Sequence, residues 1–237
     1  LLPLFLSSLG LIIAARAMMG MGLGILNPIT PSITMLELPK EQAQRQMGIN
    51  GATSNTAAVI YQLIGGFACV ISWRYSFLAY LLVIPVLPVV MIYLREPKIT
   101  QERDKSTQGQ SIGASIRTFG RPFWGWFVLH FFFISLFYAY ITNISSIIAN
   151  NHYGTASASA LVLAVFSIGG VVGGHTMSRL ITKIEKGVFI LAGVICFTGK
   201  IILVAGGNIA MMYLGSLVYG LGYGMMLPAI PLFAGMS

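Results

Sequence analysis

Charged residues are scarce in this chain. Asp, Glu, Lys and Arg make up 8% of the 237 residues, whereas about a quarter of the residues of a soluble domain are charged. Apolar residues make up 56%, and the mean hydropathy is +0.83. The shortage of charge indicates that most of the surface contacts lipid rather than water. A soluble nucleic-acid binder is disfavoured, because the basic residues belong to short loops between apolar spans. This composition indicates an all-α polytopic membrane protein whose outer surface contacts the lipid bilayer.

Other shortages narrow the function. Only two cysteines are present, Cys69 and Cys196, and both lie in apolar stretches, where we interpret them as small packing residues. The sequence has no metal-binding HExxH motif, no phosphate-binding P-loop and no nucleophile elbow. We therefore predict no enzyme activity, no metal site and no cofactor. None of the six acidic residues lies in an apolar run, and His130 is the histidine well inside one.

Long apolar runs predict seven membrane spans, because about 20 apolar residues cross a bilayer. The predicted spans are 9–36, 49–71, 76–94, 123–148, 159–178, 187–206 and 209–233. Eleven basic residues lie in the loops 37–48, 95–122 and 179–186, whereas only Arg74 lies in the loops on the opposite side. Since positively charged loops stay in the cytoplasm, we predict that the first set of loops is cytoplasmic.

The longest loop, 95–122, separates three spans from four. It predicts the end of an N-terminal helical bundle at 1–94, a central cytoplasmic linker at 95–122 and the start of a C-terminal helical bundle at 123–237. The sequence begins at Leu1 rather than at a methionine and stops directly after an apolar run. We therefore expect the chain to be the middle of a longer protein, with its bundles incomplete at both ends.

One glycine–proline pattern occurs twice at identical spacing. Its members are Gly20, Gly22, Gly24, Pro28 and Pro31 in the first copy and Gly220, Gly222, Gly224, Pro228 and Pro231 in the second. A repeated span is typical of transporters with a duplicated architecture. We expect the three glycines of each copy to leave one helix face bare, so that neighbouring helices approach closely there.

The two copies differ four residues before the first glycine. Arg16 occupies this position in the first copy, and Ser216 occupies it in the second. The helix therefore does not need the arginine to fold, and a charge kept in lipid without a folding role is a candidate functional residue. The alternative is an arginine near the end of its span that extends to the lipid headgroups.

The first copy resembles a known motif. The stretch from Ile12 to Gly24 is similar to the fourth-helix motif of the major facilitator superfamily, with Met19 where glutamine is usual. Residues 72–77 are similar to the outer turn between helices five and six of that family. The resemblance implies a secondary transporter of two six-helix bundles, of which this chain would cover helices four to ten. Its 12-helix drug:proton antiporter branch is the one the chain resembles, although Tyr61 and Gln62 replace the glycine–proline pair of that branch.

Candidate site residues follow from polar groups and glycines within the spans. The substrate-pathway candidates are Asn27, Asn55, Tyr61, Gln62, Tyr138 and Asn143. For these, hydrogen bonding or packing between helices is the alternative role. Arg16 and His130 are the candidates for transport and coupling. Gly65, Gly66 and the repeated glycines, with Pro28 and Pro228, are the candidates for helix packing and gating. Lys200 is expected either to reach the membrane surface or to pair with a carboxylate outside this chain.

These observations predict a secondary active transporter that moves a small organic or amphipathic solute by alternating access, with proton-coupled efflux as the first interpretation. An uptake permease is the alternative within this class, and a heptahelical receptor is the alternative from another. A receptor has no reason to repeat a glycine–proline helix. We expect a monomeric multi-pass protein of the plasma, or inner, membrane. Its partners would be lipid, a small-molecule substrate and protons, but no nucleic acid.

Overall fold

The computed structural model describes residues 8–93, 120–185 and 187–235. Its elements in chain order are α1 Leu9–Leu26, α2 Ile29–Glu37, α3 Lys40–Ile71, a 3-10 helix Trp73–Val83, α4 Val86–Tyr93, α5 Arg121–Asn150, α6 Ala156–Ile184, α7 Gly187–Ala205 and α8 Ile209–Gly235. No strand occurs in these described ranges. The prediction of an all-α polytopic membrane protein is confirmed.

Within the described residues, six stretches are long and apolar enough to cross a membrane, and one of them, Leu9–Glu37, comprises α1 and α2. The predicted α-helical span at 76–94 is wrong, because the 3-10 helix and the short α4 replace it. Pro85 lies between the two. Proline has no N–H to donate, and its ring clashes with the carbonyl four residues earlier, so a continuous α-helix is interrupted. The two segments together still extend up to roughly 34 Å, enough to cross the hydrocarbon layer.

The predicted cytoplasmic loop at 37–48 is much shorter in the structure. Helix α3 begins at Lys40, directly after Pro39. Residues 40–48 are mostly lysine, glutamate, glutamine, alanine and arginine, which are strong helix formers, so the helix continues out of the apolar span. Arg45 therefore lies on the first turns of a helix rather than in a loop.

The tightest contacts join α6 to α3 and to α8, and α7 to α8. The buried core lies among α5, α6, α7 and α8; its most enclosed members are Ile144, Ile148, Val162, Met177, Ile181, Val188, Met225 and Leu232. Helix α1, by contrast, buries none of its residues within the described structure. Large apolar side chains cover much of the outside, as lipid contact requires.

Hydroxyl groups within the spans mostly bond to their own helix. Each of the following donates to the carbonyl four residues earlier: Thr34, Thr56, Ser135, Thr142, Thr176 and Thr198. Such bonds satisfy a hydroxyl in lipid without a partner helix. Polar side chains that do contact another helix therefore mark positions where two spans are joined.

The central linker falls outside the described residues. Residues 94–119 are not described, and only the start of α5 at Arg121 belongs to the predicted segment 95–122. The division of the chain into two bundles and a linker remains a prediction.

The described turns allow the predicted orientation to be tested. Ala156, at the start of α6, and Glu185, directly after its end, are both exposed and lie on opposite sides of the membrane if the charge asymmetry sets the topology. In a cysteine-free background, we expect Ala156→Cys to react with an impermeant thiol reagent on intact cells. Glu185→Cys should react only after lysis. Labelling of Glu185→Cys alone in intact cells would show the inverse topology.

Candidate functional site

Small residues line the contact between α3 and α6, which we call the α3–α6 seam. The helices run antiparallel: Gly48 faces Ser178, Asn55 faces Gly170, and Gly66 faces Ala160. A Cβ added to Gly48 would lie only 2.6 Å from Cβ of Ser178. From Gly48 to Gly66 the seam extends about 27 Å at 1.5 Å per residue, close to the full thickness of the hydrocarbon layer.

The backbones of the two helices approach most closely near Gly174. A Cβ at this position would lie 2.8 Å from the nitrogen of Ala52 and 2.9 Å from the carbonyl oxygen of Gly48. Only glycine fits such a contact, and small residues at both partners are the usual way in which membrane helices meet without a hydrophobic driving force.

Two of the predicted substrate-pathway residues lie in the α3–α6 seam. The Ser167 hydroxyl donates to Oε1 of Gln62 at 3.0 Å, and Ser167 is almost fully buried. Asn55 is also buried; its amide donates to the Gly51 carbonyl of its own helix at 2.8 Å, and its side chain packs against Gly170. Gln62 thus makes the hydrogen bond between helices that was the alternative to substrate contact, while Tyr61 beside it is half-buried.

Two adjacent glycines at the end of the seam farthest from Gly48 provide a matched pair. A Cβ at Gly66 would collide with Cβ of Ala160, whereas a Cβ at Gly65 would meet no atom within 4 Å. We expect Gly66→Ala to destabilise the protein by about 1–3 kcal/mol through overpacking. Gly65→Ala should be neutral or stabilising by up to about 1 kcal/mol, because alanine favours the helix. Thermal unfolding of both purified variants in detergent would measure the difference, and equal midpoints would contradict the seam.

The second copy of the glycine pattern packs on two faces of α8. Gly220 contacts the Phe166 backbone and Gly224 contacts the Gly170 backbone, both on α6. Gly222 lies on the opposite face of α8, where a Cβ would be 2.7 Å from the nitrogen of Cys196 on α7. The prediction of one bare face is wrong: at about 100° per residue, the first and second glycines lie about 200° apart. Close approach is confirmed, but to two helices.

The first copy of the pattern does not pack in this way. Added Cβ atoms at Gly20, Gly22 and Gly24 would meet nothing within 4 Å among the described residues. Here the helix is also interrupted, since α1 ends at Leu26 and α2 begins at Ile29, with Asn27 and Pro28 in a turn between them.

Pro228, the counterpart of Pro28, lies inside the continuous helix α8 and contacts α3. A Cβ at Gly51 would lie 3.4 Å from Cγ of Pro228. Packing on several sides allows a membrane helix to continue through a proline, and within the described structure α1 has no such packing. The same local sequence therefore gives a continuous helix in one copy and an interrupted helix in the other.

The paired positions before the glycines have opposite surroundings. Arg16 is exposed, and its guanidinium carbon lies 5.2 Å from the ring centroid of Phe77. Ser216 is fully buried and accepts a hydrogen bond from the Tyr140 hydroxyl at 2.7 Å. The arginine therefore makes no contribution to a packed core, whereas the serine does.

Aromatic rings fill the space between α5, α6 and α8. The cluster consists of Phe133, Phe137, Tyr140, Phe166, Tyr219 and Tyr223, and the Phe137 and Tyr223 centroids are 4.2 Å apart. Tyr138 was the α5 aromatic predicted as a candidate, and the packing of its neighbours against Tyr219 and Tyr223 was not predicted. Three of the α5 members, at 133, 137 and 140, share one helix face, and this spacing was the available signal.

Lys200 points into the protein at the edge of this aromatic cluster. Its ammonium lies 4.3 Å from the ring centroid of Tyr219 and 5.1 Å from that of Tyr140. It also donates to the Leu136 carbonyl at 3.3 Å. The expectation that Lys200 reaches the membrane surface is wrong, because helical side chains slant toward the N-terminal end of their helix, and for α7 this is the end predicted to be cytoplasmic.

A cavity of about 440 Å³ adjoins Lys200 between α5, α7 and α8. Asn143, a predicted substrate-pathway residue, lines this cavity, together with Leu136, Tyr140, Asn151 and Met212. Tyr138 does not line it and is 59% exposed. His130 lies elsewhere on α5; its Nδ1 is buried and has no hydrogen-bond partner in the described structure.

These features define the class of protein. Long apolar helices, closely packed through small residues and enclosing a few polar groups, are the architecture of a polytopic membrane transporter. The family profile of the Major Facilitator Superfamily matches residues 1–236. The chain belongs to the major facilitator superfamily and is a secondary transporter, which decides against a heptahelical receptor. A search of curated proteins and a search of solved structures found no significant match.

Proposed function

We propose that this transporter moves a small organic or amphipathic solute by alternating access, in exchange for protons and in the direction of efflux. The observation that carries the proposal is the α3–α6 seam. Its two helices stand on opposite sides of the predicted linker, so they would belong to opposite bundles. Rocking of one bundle against the other would open the solute pathway to each side in turn.

The composition of the seam suits such a movement. Glycine, alanine and serine present no long side chains that must disengage, and the Ser167–Gln62 hydrogen bond at 3.0 Å is between neutral groups. A neutral hydrogen bond contributes only about 0.5–1.5 kcal/mol. A contact of this kind holds the helices together in one state and can be broken and remade at low cost.

The character of the solute is inferred from the groups within the spans. Away from the span ends, the described spans contain Arg16, His130 and Lys200 and otherwise offer mainly aromatic, aliphatic, hydroxyl and amide side chains, which suit an amphipathic organic molecule. His130 supports exchange with protons, because its Nδ1 has no partner and imidazole is the side chain that titrates near neutral pH. Efflux follows the resemblance to the antiporter branch, and an uptake permease is the alternative.

Transport into proteoliposomes tests this proposal. The vesicles have an acidic lumen, and the cytoplasmic face of the protein is outward. The probe added outside is either ethidium, an amphipathic cation, or a fluorescein derivative, an anion. Proton-coupled efflux predicts accumulation of one probe, lost when an ionophore collapses the pH gradient. Accumulation independent of the gradient would contradict proton coupling, and accumulation only in the opposite orientation would indicate uptake. Equal entry into protein-free vesicles would contradict transport of this solute class.

A further inference from the structure

We propose that the cavity beside Lys200 binds an amphipathic molecule with one anionic group. This site is separate from the α3–α6 seam, since α5, α7 and α8 form it. The candidate ligands share two features. Each has a single carboxylate or phosphodiester, which pairs with the Lys200 ammonium, and an apolar chain, which occupies the rest of the cavity. Binding there does not depend on the direction of transport or on its coupling.

The charge of Lys200 is incompletely compensated by the protein. An ammonium group has three N–H donors, and one of them reaches the Leu136 carbonyl at 3.3 Å. The Tyr219 and Tyr140 rings supply cation–π attraction. Among the described residues that line the cavity, none is aspartate or glutamate. A cation within a membrane span is costly unless a counter-charge or water meets it, so an anion is the ligand that completes this site.

The neighbouring amides are mostly committed to their own helix. The Asn143 amide nitrogen donates to the Ala139 carbonyl at 2.8 Å and to the Thr142 hydroxyl at 3.3 Å. The Asn151 amide nitrogen donates to the Ile147 carbonyl at 2.9 Å, which leaves one of its hydrogens available. Asn151 lies about 15 residues after Leu136, or roughly 22 Å along α5, so its amide is out of reach of an anion paired with the Lys200 ammonium. The ammonium is therefore the partner of the anion, and the cavity suits a ligand with a single anionic group.

The remaining walls are apolar. Leu136, Ile144, Ile147, Leu203, Val204 and Met212 line the cavity. Val204 is 87% exposed and Leu136 is 60% exposed, so the rim of the cavity is open within the described structure. By the predicted topology this is the outer half of the membrane. A ligand with an apolar chain can enter sideways from the bilayer and contact the apolar walls. A small hydrophilic anion would make no favourable contact with these walls.

Binding of decanoate to the purified transporter in phosphatidylcholine nanodiscs tests the proposal. The matched variants are Lys200→Met, which keeps length but removes charge, and Lys200→Arg, which keeps the charge. We expect the original protein and Lys200→Arg to bind decanoate, and the dissociation constant to rise about tenfold or more in Lys200→Met. Decanol, which has the same chain without the charge, should not distinguish the variants.

A second variant and a second probe complete the test. Val204→Trp changes an exposed residue and should fold, yet it fills the mouth of the cavity and should weaken decanoate binding while leaving Lys200 intact. Native mass spectrometry would measure the retention of phosphatidylglycerol and so distinguish a membrane lipid from a free solute as the ligand. If retention depends on Lys200 and decanoate does not bind, the ligand is a lipid whose headgroup carries the anionic group. The proposal would be overturned if the original protein bound neither decanoate nor phosphatidylglycerol. It would also be overturned if Lys200→Met and Val204→Trp bound both ligands as well as the original protein does.

Discussion

Gly222→Leu is expected to abolish transport and to lower the yield of folded protein more than tenfold. A Cβ added at Gly222 would by itself lie 2.7 Å from the nitrogen and the sulfur of Cys196 and 2.8 Å from the Ala192 carbonyl oxygen. Leucine adds three further carbons, so α7 and α8 must separate. Overpacking of a close contact costs about 1–3 kcal/mol, and more when backbone must move. Size-exclusion chromatography and transport normalised to protein amount would measure both effects.

Gly22→Leu is the matched control, because it makes the same change at the same position of the first copy. A Cβ at Gly22 meets nothing within 4 Å in the described structure. We expect this variant to insert, purify and transport close to normally. Equal loss in both variants would show that the first copy is also packed against another surface, and equal tolerance would show that the α7–α8 contact is not required.

Arg16→Ser is expected to leave the protein folded and to abolish coupled transport. The substitution installs the residue that the second copy already has, and α1 buries no residue that the arginine could support. A fixed positive charge at low dielectric strongly biases nearby carboxylates and anionic groups, so its loss should uncouple solute movement from protons. Accumulation of solute under an imposed pH gradient, normalised to protein amount, is the measurement.

Arg16→Lys separates charge from geometry. Lysine keeps the positive charge but lacks the planar fork of donors. Partial activity would indicate that charge dominates, and no activity would indicate paired hydrogen bonds. Full coupled transport in Arg16→Ser would contradict the functional role and leave an arginine whose guanidinium merely rests on the Phe77 ring.

The sequence was sufficient for the fold class and for most of the spans. Apolar runs of membrane-crossing length are a strong signal, because lipid permits few alternatives to a helix. The failures were local. Pro85 interrupts a run that hydropathy alone treats as continuous, and helix formers at 40–48 extend α3 beyond its apolar part.

The contacts between helices were harder to predict. The repeat correctly marked Gly220, Gly222 and Gly224 as contact residues, but it could not show that Gly20 and its neighbours lack such contacts, since spacing records a helix face and not what covers it. The seam residues Gly170 and Gly174 have the small-x3-small spacing that allows close approach, and this was the available signal. Pairing Ser167 with Gln62 required the register of two distant helices, which one sequence does not record.

Alternating access at the α3–α6 seam is the central claim, and paired distances test it most directly. Spin labels at Glu41 and Lys183 report the end of the seam that is predicted to be cytoplasmic, and labels at Ile71 and Ala156 report the opposite end; all four positions are exposed. Double electron–electron resonance would measure both pairs at acidic and alkaline pH, with and without a transported solute. We predict reciprocal changes, in which one pair separates as the other closes. Distances that stay fixed, or that change in the same direction at both ends, would contradict the claim.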